Sequence, residues 1–180
     1  MHVGPIEQTF LTLFLLLSSA NTSEATQPVP IDQSCAGSDH FDRNWTAVEK
    51  FVWRKVCVGS VADLNKPDDP EVKSRVLRSA FLEEILLKEQ YRNALTRLGV
   101  RIIGAQFDST IDLKNATLDH ELSITKSTLA GGADFSGLTS SQGIELRDDT
   151  ILTQPGDVTS IDLEGAHIQG SLDLGGNTIV

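Results

Sequence analysis

The chain of 180 residues carries a formal net charge of −10, with 25 Asp and Glu against 15 Lys and Arg. That balance disfavours direct binding to nucleic acid, whose phosphates are met by Lys and Arg. Apolar residues make up 39%, enough for a core, but one Met and one Tyr leave little for a soft or aromatic binding surface.

Residues 1–25 read as a secretory signal. Residues 9–17 are dominated by Leu and Phe, and the run is too short to span a bilayer as a helix. Small residues follow it, which places cleavage near Ala20 or Ala25. The stretch before the run lacks the usual Lys or Arg. The expected location is therefore periplasmic or extracellular, with no transmembrane span in the mature chain. Export makes Cys35 and Cys57 a disulfide candidate, because thiols pair in oxidising compartments. No second Cys or His pair stands at ligand spacing, so neither metal nor cofactor is expected.

Residues 26–43 read as a polar linker containing Pro28 and Pro30. A helix is expected over 44–58, capped by Asn44, with Trp45, Val48, Phe51, Val52 and Val56 on one face. Residues 62–69 read as a connection. Asp69-Pro70-Glu71 looks like a helix start, and Val72, Val76, Leu77, Ala80, Phe81 and Ile85 then follow the 3.6 period. That helix is expected to run toward Gly99, with room for a break at 88–90. Together, 44–99 form a helical region expected to cap the segment beyond Gly99.

From Val100 the pattern becomes period two inside a period of eleven. Units begin at Val100, Ile111, Leu122, Ala133, Ile144, Ile161 and Leu172, with an insertion at 155–160. Positions 1, 3, 6 and 8 of each unit are apolar except at Ser127, Ser140, Asp149 and Asn177. Alternation places positions 1 and 3 on one side only in an extended chain. The many glycines of this stretch would also weaken a helix. Each unit is therefore two short strands and two turns, and two units make one 22-residue circuit of a four-sided parallel β-helix. Seven units give about three and a half coils, stacked at about 4.8 Å.

At Ala105/Phe107, Ala116/Leu118 and Ala166/Ile168 the chain resembles a pentapeptide-repeat protein. The resemblance implies a right-handed quadrilateral β-helix. Ile and Leu stand where that family prefers Ala, and one residue is added per unit. The segment holding Trp45, Trp53, Cys57, Gly59 and Ala62-Asp63-Leu64-Asn65 is similar to the one that precedes such repeats in some uncharacterised exported bacterial proteins.

No nucleophile, phosphate-binding or zinc-protease motif is present, and His40, His120 and His167 lie far apart. Position 2 points outward and is mostly acidic: Asp112, Asp134, Glu145, Asp162 and Asp173 form a candidate interaction surface. Asp112 and Asp134 should stack one coil apart, with Asp162 continuing the column. The expectation is an exported, non-catalytic structural or protein-binding β-helix whose partner the sequence does not name. The alternatives are a polysaccharide-binding or -cleaving module and an acidic DNA mimic that occupies a nucleic-acid enzyme. The chain stops mid-unit with the interior pattern intact. Either further repeats follow, or the open ends of two chains meet in a dimer.

Overall fold

The computed structural model describes residues 41–153 and 160–180. The expected signal segment, Cys35 and His40, most of the expected linker and nearly all of the insertion lie outside the described residues.

The head opens with α1 (Ala47–Val56), capped by Thr46 rather than by Asn44. A capping box explains the difference. Glu49 stands three residues after Thr46; the Glu49 amide donates to Thr46 Oγ1 at 3.3 Å and the Thr46 amide donates to Glu49 Oε2 at 2.7 Å. Gly59, at φ 75, closes the helix. Its amide donates to the Val56 carbonyl, and the Ser60 amide to that of Lys55, both at 2.9 Å, the two closing bonds of a Schellman turn.

Two strands then appear where the sequence pattern suggested a connection and a helix: β1 (Ala62–Asp63) and β2 (Val76–Leu77). The long second helix is shorter than expected. It reduces to α2 (Ser79–Leu87) and α3 (Glu89–Arg92), separated at Lys88, whose ψ of 126 is extended. The 3.6 periodicity of Val72, Val76 and Leu77 yields to strand pairing, because β-branched Val76 sits opposite Gln106 and Leu77 opposite Phe107 in a parallel ladder.

The repeat region is all strand and turn. Its first circuit holds β3 (Val100–Ile103), β4 (Gln106–Phe107), β5 (Ile111–Asp112) and β6 (Thr117–Leu118). The second holds β7 (Leu122–Thr125), β8 (Thr128–Ala130), β9 (Ala133–Asp134) and β10 (Thr139–Ser140). Next come β11 (Ile144–Arg147), β12 (Thr150–Leu152), β13 (Ile161–Asp162) and β14 (His167–Ile168), then β15 (Leu172–Asp173) and β16 (Thr178–Ile179). They form four parallel sheets. Sheet I stacks β1-β3-β7-β11-β15, and sheet II stacks β2-β4-β8-β12-β16. Sheet III stacks β5-β9-β13, and sheet IV stacks β6-β10-β14.

Register carries the period directly. Val100 pairs with Leu122 and Leu122 with Ile144, whereas Ile144 pairs with Leu172 across the insertion. Ile111 pairs with Ala133 and Ala133 with Ile161. The insertion is thus absorbed between β12 and β13 without shifting which residues face inward, since a slip of one residue would turn every side chain over. The inward positions of the first five units are buried, except for partly exposed Ala116. The core runs continuously from Trp45 and Trp53 in the head through Ile102 and Phe135 to Ile151.

The head bonds directly to the first circuit. The Ser79 amide donates to Asp108 Oδ1 at 3.0 Å and its hydroxyl to the Ser109 carbonyl at 2.6 Å. Glu83 Oε1 accepts the Asp112 amide at 3.1 Å, an N–H at the edge of sheet III. Within the head, Arg78 donates to both oxygens of fully buried Glu49, at 2.6 and 2.9 Å. Glu49 thereby joins the start of α1 to the residue that precedes α2.

Candidate functional site

The acids read from the sequence as one surface fall on two sheets. Asp112, Asp134 and Asp162 stack in register on sheet III. Glu145 and Asp173 stack on sheet I, in the column that also holds Arg101 and Ser123.

Most of these carboxylates have a backbone task. Asp112 Oδ1 accepts the amide of Lys114 at 3.0 Å, and Asp134 Oδ1 accepts that of Ser136 at 2.9 Å. Asp162 and Asp173 repeat the bond with Glu164 and Gly175, each at 2.9 Å. Asp63 does the same for Asn65 at 2.9 Å in β1, outside the eleven-residue period. These are Asx turns, in which a short carboxylate stands in for a carbonyl and bends the chain at the end of a strand. The sequence signal is Asp-Leu or Asp-Phe directly after an inward residue, recurring from Asp63-Leu64 to Asp173-Leu174.

Charge in the columns is also offset locally. Ser136 donates a second bond to Asp134 Oδ1 at 2.6 Å, and Lys114 Nζ lies 3.7 Å from Asp134 Oδ2. The Ser136 hydroxyl and amide, with Lys114, hold the Asp134 carboxyl below the usual carboxylate range. Glu145 accepts the Ser123 hydroxyl at 2.6 Å, and Arg147 lies 3.8 Å from Asp173.

The polar residues at inward positions form a second arrangement. Ser127, Asp149 and Asn177 occupy position 6 of successive circuits, above Ala105, at the corner where sheet I passes into sheet II. Position 5 of that corner is left-handed throughout: Gly104 at φ 77, Lys126 at 52, Asp148 at 56 and Gly176 at 75. The amide that follows the bend precedes the strand of sheet II. Each such amide is met by the side chain one circuit on. The Ala105 amide donates to Ser127 Oγ at 3.1 Å, Ser127 to Asp149 Oδ1 at 2.7 Å, and Asp149 to Asn177 Oδ1 at 2.8 Å. Asn177 Nδ2 donates to the carbonyls of Leu146 and Leu174 at 2.8 and 3.0 Å.

Asp149 is 1% exposed, and its Oδ2 has no hydrogen-bond partner. Burial, reinforced by Asp148 and Glu145, pushes its carboxyl up to about 7. Ser140 stands apart from this column; its hydroxyl donates to the Gln142 carbonyl at 2.9 Å.

Elsewhere the outward residues of sheet II from β8 onward are Thr128, Ala130, Thr150, Leu152, Thr178 and Val180, with no charged side chain among them. His120 is partly exposed beside a turn, and His167 is exposed on sheet IV. Among the described residues, no cluster of His, Cys, Asp and Glu has the geometry of a metal site. Cys57 is fully buried after α1, its thiol directed at the Arg54 carbonyl at 3.8 Å. There is no disulfide among the described residues, and the expected mate, Cys35, lies outside them. No helix among the described residues is long and apolar enough to cross a membrane.

Comparison with known proteins finds no match: no family model, no curated protein and no solved structure aligns with this chain.

Proposed function

We propose that this chain is an exported, non-catalytic scaffold that offers a partner protein one uncharged face of a right-handed, pentapeptide-repeat-like solenoid. The helical head closes its N-terminal end. That role for the head is supported by the bonds from Ser79 and Glu83 to the first circuit, which occupy groups a bare end would leave to other strands.

One observation carries the reading. The polar residues most able to do chemistry are committed to holding the backbone. Asp112, Asp134, Asp162 and Asp173 each grip a turn, and Ser127, Asp149 and Asn177 serve amides inside the stack. What is left for recognition is the outer surface. Residues 100–180 contain 12 acids and 4 bases, a charge of −8, yet the outer strip of sheet II from β8 onward carries none of it. Leu152 adds 40% of its surface to that strip. A strip without charge loses least when a partner strips its water, and interface centres are depleted of charge for that reason.

The test is site-specific photo-crosslinking in cells that export the full chain. A discrete adduct is expected from a probe at Thr150, but not from probes at Thr139 or Asp134, and Leu152→Glu is expected to abolish it. Equal labelling from all three positions would overturn the choice of face. Retention of the chain in the cytoplasm would overturn export. Release of oligosaccharides from acidic polysaccharide by the purified chain would move the assignment to the carbohydrate alternative.

A further inference from the structure

We propose that Asp149 is a proton-operated latch in the stack, neutral when its circuit is closed and loosening the contacts of β11 and β12 with their neighbours when it ionises. The argument starts from the column. Three successive side chains occupy one inward corner position, and each accepts an amide from the circuit before it. Ser127 and Asn177 do so as neutral groups. Asp149 stands between them with the same backbone duty and a group that can ionise.

Its surroundings oppose ionisation. Asp149 is 1% exposed, and no donor reaches Oδ2. On its own unit the charged neighbours are Glu145, Arg147 and Asp148. Arg147 is turned to Asp148 and Asp173, at 3.9 and 3.8 Å, and leaves Oδ2 unpaired. In the circuit before, Lys126 is the charged residue near this corner, and its side chain is exposed. In the circuit after, Asp173 is acidic and Asn177 is neutral. A carboxylate enclosed in this way is costly, whereas the acid form carries a proton on the oxygen that lacks a donor.

Asn177 shows what a donor does at this position. Its Nδ2 bonds the carbonyl three residues back, Leu174 O in its own circuit, as well as Leu146 O in the preceding one. The equivalent carbonyls for Asp149 are those of Leu146 and Ile124, and a protonated Oδ2 has one donor to offer where Asn177 has two. Burial holds the carboxyl at about 7 instead of its ordinary 3.8. The folded value is raised, so this stability is complete below the unfolded value and is lost as pH rises from about 4 through about 7.

The experiment uses the full mature chain. Amide exchange of residues 144–152 and 172–180 and urea unfolding are followed from pH 5 to pH 8. The unfolding constant of the wild type is expected to rise on the order of a hundredfold across that range, with faster exchange in both segments. Asp149→Asn, which copies the donor of Asn177, is expected to flatten the dependence. Should that variant fail to fold, the side-chain carboxyl carbon of Asp149 in the wild type is titrated by NMR. A midpoint near neutrality supports the latch. An Asp149 already ionised at pH 5, or an unchanged slope in a folded Asp149→Asn, would overturn it.

Discussion

Two corners of each circuit solve the same problem by opposite means. Where sheet I passes into sheet II, the amide at position 6 is satisfied by a side chain of the following circuit. Where sheet III passes into sheet IV, the equivalent amides of Ala116, Leu138 and Ala166 donate to carbonyls three residues back, at 3.0 to 3.1 Å. The second corner is held from outside by the Asx turns of Asp112, Asp134 and Asp162. Local bonds let its inward residue be Ala or Leu, while the first corner needs an acceptor. The side chain of the borrowing corner adds a bond between circuits, whereas the corresponding amide of the self-closing corner bonds within its own circuit.

Both corners stand on a common apolar wall, and breaking that wall has the largest expected effect. Leu113 is 1% exposed between Asp112 and Lys114. Leu113→Asp would bury a carboxylate without a partner, and the loss is expected to exceed about 4 kcal/mol, enough to remove cooperative unfolding. Circular dichroism melts check it. A retained sharp transition would contradict the assignment of inward faces.

Next comes the borrowing corner. Ser127→Ala leaves the Ala105 amide without its acceptor, for an expected cost of about 1–3 kcal/mol in urea unfolding. The loss should spread to both circuits that Ser127 joins, so protection from exchange should fall at Ala105 as well as at residue 127. A change confined to residue 127 would show that the bond does not bind circuits together.

The wall was legible in the sequence because alternation and the eleven-residue period leave one way to bury Ile, Leu and Phe together. The register across the insertion followed from the same constraint. The polar column was visible only as exceptions, although Ser127, Asp149 and Asn177 share position 6. Hydrophobicity alone separates inside from outside, and it does not say which inward amides lack a carbonyl. The acids were read as surface, since an Asx turn and a solvated carboxylate have the same pattern of exposure. β1 and β2 escaped because no fixed spacing links Ala62 to Ile102 or Val76 to Gln106. The Ala-Asp-Leu of β1 does match the Ala-Asp-Phe of β9.

The self-closing corner should respond to acid in the sense opposite to Asp149. The hydrogen bonds from Ser136 lower the Asp134 carboxyl, so its contribution is present above the unfolded value of about 4 and disappears as pH falls through the folded one. Asp134→Ala is expected to cost about 1 kcal/mol at pH 7 and less at pH 2.5, by urea unfolding at both pH values. An equal cost at both would assign Asp134 a packing role instead.

The smallest effect tests whether the corners differ in backbone or only in side chain. Ala116 occupies in the self-closing corner the place that Ser127 holds in the other. Its own amide bonds the Leu113 carbonyl at 3.1 Å. No amide from a preceding circuit is waiting there, since Ala116 is the first of its column and the head lies before it. Ala116 is also partly exposed, so an added oxygen is not sealed from water. Ala116→Ser therefore adds a hydroxyl with no amide to serve, and its expected effect in urea unfolding lies within about 0.5 kcal/mol. If it instead stabilised the chain by as much as Ser127→Ala weakens it, the hydroxyl alone would make the borrowing corner. The left-handed bend is shared by both corners, at φ 55 in Asn115 and 52 in Lys126. What separates them over the first three circuits is then the carbonyl three residues back, which the amide meets in the Asp-held turns after β5, β9 and β13 and not after the four-residue strands β3, β7 and β11.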